Sequence, residues 1–219
     1  MKTLKLTISI VCAAMLLLAG QVYGQKRDRY DVIPPQKGNN AKEQAAELSK
    51  QGWNAHIFTI EEQLASTWKL MCEMQSNNES RYLWAKAEVT AANEKDAIME
   101  NFIQCSKDLT YQVQLPFISQ CRIVMMQKGN SGDQIAAMEK IVRQITPMVI
   151  QNNSKKSLEL YKEKDKQVSV QTVFIVDKTN LYDTLLKECI NYIGDNKDFA
   201  TLEEVFNEAI HRMAKKNLR

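Results

Sequence analysis

Apolar residues recur at helical spacing in several stretches of the chain and alternate in others, so the pattern predicts a mixed fold before any chemistry is considered. Thr59 with Glu62 forms a capping box, and Ile60, Leu64, Trp68 and Met71 follow at spacings of three and four, predicting a helix over 60–75. From Arg81 the period changes. Leu83, Ala85, Ala87 and Val89 fall on one face, with Tyr82, Trp84, Lys86, Glu88 and Thr90 on the other. That is a strand whose first face is mostly alanine, which lets a helix approach closely.

Asn93 is a cap with Asp96 at the third helical position, and Ile98, Phe102, Cys105, Leu109 and Val113 carry a long amphipathic helix onward. Pro116 lacks the amide hydrogen that a helix interior uses, so a kink or restart is expected there before the segment ends near Gln127. Ser131 with Gln134 makes a second capping box. The stripe Ile135, Met138, Val142, Ile145 and Val149 follows, with Pro147 predicting a kink or early end.

Residues 157–176 read as a β-hairpin. Leu158 and Leu160 precede a charged turn, Lys162 to Lys166, and Val168, Val170, Thr172, Phe174 and Val176 then alternate with Ser169, Gln171, Val173 and Ile175. The second strand is apolar on both faces near its end, as a central strand is. Because the turn has no Asn-Gly pair, it is expected to exceed two residues. Asn180 is expected to cap a helix carrying Leu181, Leu185, Cys189 or Ile190, and Ile193, which Gly194 stops. Thr201 with Glu204 predicts a third capping box and a last helix. The predicted fold is α+β, a three-stranded antiparallel sheet with helices packed on one face.

The N-terminus has its own pattern. Lys2 and Lys5 precede an apolar run from Leu6 to Leu18 and small residues ending at Val22-Tyr23-Gly24, as in a cleavable secretory signal. Cys12 lacks the context of a lipidated cysteine. The expected organisation is a signal peptide over 1–24, a leader with a short polar helix (41–50) over 25–52, an α+β domain over 53–194 and a C-terminal helix over 195–219. The run is too short to span a bilayer, and no other stretch approaches the roughly 20 apolar residues a membrane helix needs.

Charge narrows the partners. The chain has 29 basic and 26 acidic residues, and removal of Lys2 and Lys5 leaves an excess of one, so no nucleic-acid role is expected. Past the signal come Cys72, Cys105, Cys121 and Cys189. An even count in an exported chain admits disulfides. Each nonetheless falls within a predicted helix and no CxxC pair exists, so they are read as buried small hydrophobes.

The runs YLWAKAEVTAANEKDAIMENFIQCSKDL, VSVQTVFIVD and NLYDTLLKECI together resemble the domain of the twenty-kilodalton bacterial lipoprotein family. With the helix start Thr59-Ile60-Glu61-Glu62-Gln63-Leu64 they resemble still more a group of secreted proteins of Gram-negative gut bacteria. The resemblance covers about residues 53–193. It implies an envelope-associated strand-helix-strand-strand module with no established activity, and it carries over no lipid anchor.

Candidate chemistry is sparse. His56 and His211 have no second ligand at metal spacing, so neither a metal nor another cofactor is expected. No Gly-rich elbow or phosphate loop occurs. Glu61-Glu62 and Glu203-Glu204 sit at helix starts, where carboxylates stabilise exposed amide hydrogens. Tyr82, Trp84 and Lys86 share one strand face and are the candidate partner-binding residues, the alternative being cover from the N-terminal segment or a flanking helix. The basic end (His211, Arg212, Lys215, Lys216, Arg219) suits peripheral membrane contact or a solvated helix end. The expected role is therefore a non-catalytic, interaction or structural protein, periplasmic or extracellular, with a protein partner or a homo-oligomer. The alternative is a hydrolase or small-ligand binder whose site is assembled from dispersed residues.

Overall fold

Capping chemistry sets most of the helix starts. The computed structural model describes residues 40–76, 79–194 and 200–216, all within the unit Pro34–Arg219. The expected signal segment, the expected leader before Asn40, Asn77-Asn78, and the side chains of Lys215, Lys216 and Arg219 lie outside the described residues. In chain order the elements are α1 (Ala41–Lys50), α2 (Ile60–Cys72), β1 (Tyr82–Ala91), α3 (Glu94–Gln127), α4 (Gly132–Asn153), β2 (Lys155–Lys164), β3 (Gln167–Asp177), α5 (Leu181–Ile193) and α6 (Ala200–Lys216).

Both boxes at Thr59 and Ser131 are closed, each side chain accepting from the third helical amide while Glu62 or Gln134 takes the cap N–H. Asn93 accepts from the Asp96 amide at 3.0 Å. Two expected caps are corrected. Asn180 occupies the cap position of α5 but makes no side-chain capping bond. Thr201 lies inside α6, and Glu204 instead pairs with Lys128 at 2.6 Å.

The prolines do not interrupt their helices. Pro116 sits inside the 34 residues of α3 and Pro147 inside the 22 of α4. Each deprives one carbonyl, that of Gln112 or Arg143, of its helical donor, a cost of about 3 kcal/mol in an isolated helix. Burial on both sides offsets it: Val113 and Phe117 flank Pro116, and Ile145, Val149 and Ile150 flank Pro147. α2 ends at Cys72, earlier than its pattern predicts, because the chain must turn into β1.

The sheet is antiparallel in the order β1-β3-β2, so β3 is central and Val170 through Val176 are all buried, as its two-faced apolarity predicts. Lys164 pairs with Gln167, leaving a connection of only two residues, Asp165 (φ +52°) and Lys166 (φ +63°). The longer turn expected is thus corrected. Two left-handed residues match the twist of the flanking strands, and ladder pairing on both sides outweighs the roughly 1–2 kcal/mol each such residue costs.

One face of the sheet carries α3, with α4, α5 and α6 packed behind it. The alanine face permits the close approach expected: the Cys105 sulfur lies 3.6 Å from the Ala85 carbonyl oxygen. A continuous core runs from Ala85 and Ala87 through Leu109 and Phe117 to Phe206. Asn101, fully buried in the same stripe, donates to the Val170 carbonyl at 2.7 Å and the Thr172 hydroxyl at 3.1 Å.

Cover on one face describes α3–α6, and the structure adds α1 and α2 on the other side. There α2 runs along β2. The Gln63 side-chain oxygen accepts from the Glu159 amide (2.8 Å), and the Thr67 hydroxyl donates to the Ser157 carbonyl (2.9 Å). Asn54 exchanges both backbone bonds with Tyr161. The outer edge of β2, which would otherwise present unpaired backbone groups, is thereby occupied. Leu158, Leu160, Val173 and Ile175 are buried on this side.

Candidate functional site

The strand pattern places Tyr82, Trp84 and Lys86 on one face of β1, and the register agrees, setting them opposite Asp177, Ile175 and Val173. All three are half-buried rather than displayed. The Trp84 carbonyl accepts from the Gln112 side chain at 3.0 Å. The Arg81 guanidinium lies 5.2 Å from the centre of the Tyr82 ring.

Arg81 also ties three segments together. It bonds Glu73 after α2 (2.6 Å) and Asp177 at the end of β3 (2.7 Å), while its own backbone joins Glu73 and Lys178. Burial alone would raise the Asp177 carboxyl, but the bonds from Arg81 and Thr179 hold it at about 2. This is an anchoring knot at the base of the candidate patch. His56 is similarly occupied, stacked on Tyr161 (centroids 4.0 Å apart) and bonded to Glu94 at 2.7 Å. Among the described residues no group of three or more His, Cys, Asp or Glu side chains is placed to hold a metal ion.

A cleft of about 570 Å³ opens on the opposite side of β1, lined by Glu79, Leu83, Pro116, Lys178, Tyr182 and Met213. Burial, and secondarily the charge of Glu79, pushes the Tyr182 phenol up to about 12. It is therefore a hydrogen-bond donor at neutral pH. Glu79 and Lys178 stand 3.7 Å apart in the cleft wall.

Cys72, Cys105, Cys121 and Cys189, the four cysteines among the described residues, are free thiols. Cys105, Cys121 and Cys189 are buried as expected, but Cys72 is exposed, because α2 ends there and the chain turns away from the packed face. Burial pushes the Cys121 and Cys189 thiols up, the latter to about 12, so neither presents a thiolate at neutral pH.

A second concavity, about 380 Å³, lies between α3 and α4. Its α3 wall follows from helix geometry. Ser106, Thr110 and Gln114 recur every fourth residue, each less than a tenth exposed, and none has a side-chain hydrogen-bond partner among the described residues. Phe102, Ile103 and Tyr111 flank that row, and Pro147 faces it from α4. Lys107 and Arg143 supply positive charge. Arg143 lies 3.7 Å from Glu139, which Arg122 also engages. Ile103 in the groove wall is more than half exposed and Tyr111 is 45% exposed, and Met99 and Leu115, four residues before and after them on α3, are more than half exposed as well.

Sequence reasoning misses this groove. A signal is present: positions 99, 103, 111 and 115 form a second apolar stripe on α3, apart from the stripe that enters the core. It is not legible as a surface, because nothing in the spacing says which stripe faces the sheet. Comparison with protein-family models, curated proteins and solved structures gives no match. No described helix is long and apolar enough to cross a membrane.

Proposed function

We propose that this is an exported protein, periplasmic or extracellular, that works by binding another protein rather than by catalysis. The observation that carries the binding half is the exposed apolar row Met99, Ile103, Tyr111 and Leu115 along α3, of which Ile103 and Tyr111 line the α3–α4 groove. Monomeric proteins seldom leave such side chains grouped at the surface unless a partner covers them. Export rests on Lys2, Lys5 and the apolar run Leu6–Leu18. The half-buried Tyr82, Trp84 and Lys86 take a supporting place in this reading, as partly exposed side chains that share one face of β1.

The test is cross-linking in intact cells with the wild-type chain and with Ile103→Asp and Leu115→Asp. Both substitutions lie on exposed positions and should leave the circular dichroism unchanged. A cross-linked partner seen with the wild type and lost with both variants supports the reading. A chain that forms no cross-linked species, or the same species in all three forms, overturns it.

The cleft at Tyr182 favours a second reading, a small-ligand or hydrolytic site, because its volume and its mixed lining of Glu79, Lys178 and Tyr182 suit a polar small molecule. Tyr182→Phe would then abolish binding or turnover while leaving partner cross-linking intact.

A further inference from the structure

Three nearly buried polar side chains in a row, without protein partners, are an uncommon way to line a groove. Ser106, Thr110 and Gln114 form such a row along α3. Their polar atoms are not among the sealed, unpartnered ones of the described residues, so the little surface these residues expose lets those atoms reach the groove. Water can satisfy them while the groove is open. A ligand that fills it must replace those bonds, because a buried hydroxyl or amide left without one costs roughly 1–3 kcal/mol.

The spacing of the row says what kind of ligand can do so. Successive members stand about 6 Å apart, four residues at about 1.5 Å rise each. An extended peptide presents its backbone groups on one side every two residues, about 6.6 Å. The two repeats match closely enough for three consecutive contacts.

The rest of the groove agrees with a peptide of a particular kind. Pro147 leaves the Arg143 carbonyl without a helical donor, adding an acceptor to the α4 wall. Phe102, Ile103 and Tyr111 offer apolar contact to alternate side chains. Lys107 has no ion-pair partner among the described residues, and Arg143 shares Glu139 with Arg122, so the groove carries net positive charge. We infer that the α3–α4 groove binds an extended, acidic peptide segment, with backbone bonds to Ser106, Thr110 and Gln114 and carboxylates at Lys107 and Arg143. This rests on the binding role proposed above and specifies its partner.

The probe is a fluorescein-labelled hexapeptide alternating Glu and Val, titrated with the full chain and followed by anisotropy. A matched peptide with Gln in place of Glu, and octanoate as a competitor, separate peptide recognition from capture of any carboxylate amphiphile. The Glu peptide should bind, with the Gln peptide about tenfold weaker or worse. Arg143→Glu should weaken binding about tenfold, and Gln114→Leu and Ser106→Ala each about three- to tenfold, with unchanged melting in Ser106→Ala as the folding control.

Absence of binding to the Glu peptide, equal binding of both peptides, or indifference to Gln114→Leu and Ser106→Ala each overturns the inference. Octanoate that displaces the probe while the polar-row variants leave binding unchanged also overturns it and makes the groove an amphiphile site. The broader reading fails separately. If the peptide does not bind but partner cross-linking is still lost in Ile103→Asp, only the inference about the groove falls.

Discussion

The two faces of the sheet are held by different forces. On the face of Ala85 and Ala87, the buried apolar positions of α3 from Cys105 to Met125 enter a core shared with α4, α5 and α6. On the other face, α2 is fastened to the edge of β2 through two side chains, Gln63 and Thr67, above a smaller set of buried residues. Area-proportional burial is diffuse and global, whereas edge hydrogen bonds are few and local. The first face should therefore set the stability of the whole unit, and the second should be able to open by itself.

Phe117→Ala is the strongest way to break that contrast. Phe117 is fully buried, and its ring centroid lies 5.8 Å from that of Phe206 on α6. Its truncation should lower unfolding free energy by about 3–5 kcal/mol in urea, with one transition seen by all probes. A loss under about 1 kcal/mol would mean that α6 is not part of the unit that unfolds.

On the opposite face, Thr67→Val and Gln63→Leu each remove a bond to β2 and leave a backbone group there unpaired. Each should cost about 1–3 kcal/mol. The sharper readout is hydrogen exchange: the Glu159 amide and the α1–α2 amides should exchange faster while those of α3 keep their protection. If α3 loosens equally, the two faces are one cooperative unit and the contrast fails.

The same contrast explains what the sequence can reveal. The α3 core stripe, the alanine face of β1 and the central place of β3 are legible because period and burial coincide there. Gln63, Thr67 and Asn101 are not, because polar residues at buried positions break the apolar pattern that marks a packed face. The prolines mislead for a related reason, since burial on either side of Pro116 and Pro147 overrides local chain preference. For the site, the alternation puts Tyr82, Trp84 and Lys86 on one face, as the register has them. Their half-burial is not legible, because spacing along the strand does not show what packs over that face or that Arg81 pairs with Asp177, 96 residues away. The groove needs two helices brought together and is beyond a reading of either one.

The β2–β3 turn offers a smaller effect of opposite sign. Asp165 and Lys166 both hold left-handed backbone, and the Lys166 side chain makes no hydrogen bond or ion pair among the described residues. Asp165→Asn with Lys166→Gly should raise stability by about 1 kcal/mol, because released strain exceeds the extra freedom glycine gives the unfolded chain. Since this turn lies at one end of the sheet, the gain should appear in global unfolding and leave α2 exchange unchanged. A loss of stability would show that the Lys166 side chain contributes to the fold.

The smallest expected effect concerns the knot at Arg81, where the two faces meet. The Asp177 carboxyl sits at about 2 when folded, below its ordinary 3.8. A carboxyl depressed by folding stabilises the native state above its unfolded value, and that stabilisation is lost as pH falls from about 3.8 towards 2. The Asp177 side chain is more than a third exposed, so solvent screening limits its contribution to less than about 1 kcal/mol. Asp177→Asn should leave the melting temperature nearly unchanged near pH 2 and lower it slightly at pH 6, flattening the acid limb. If the variant lost as much stability at pH 2 as at pH 6, weakened hydrogen bonds to Thr179 rather than lost charge would account for the change, and the ion pair would not be what joins the end of β3 to the segment after α2.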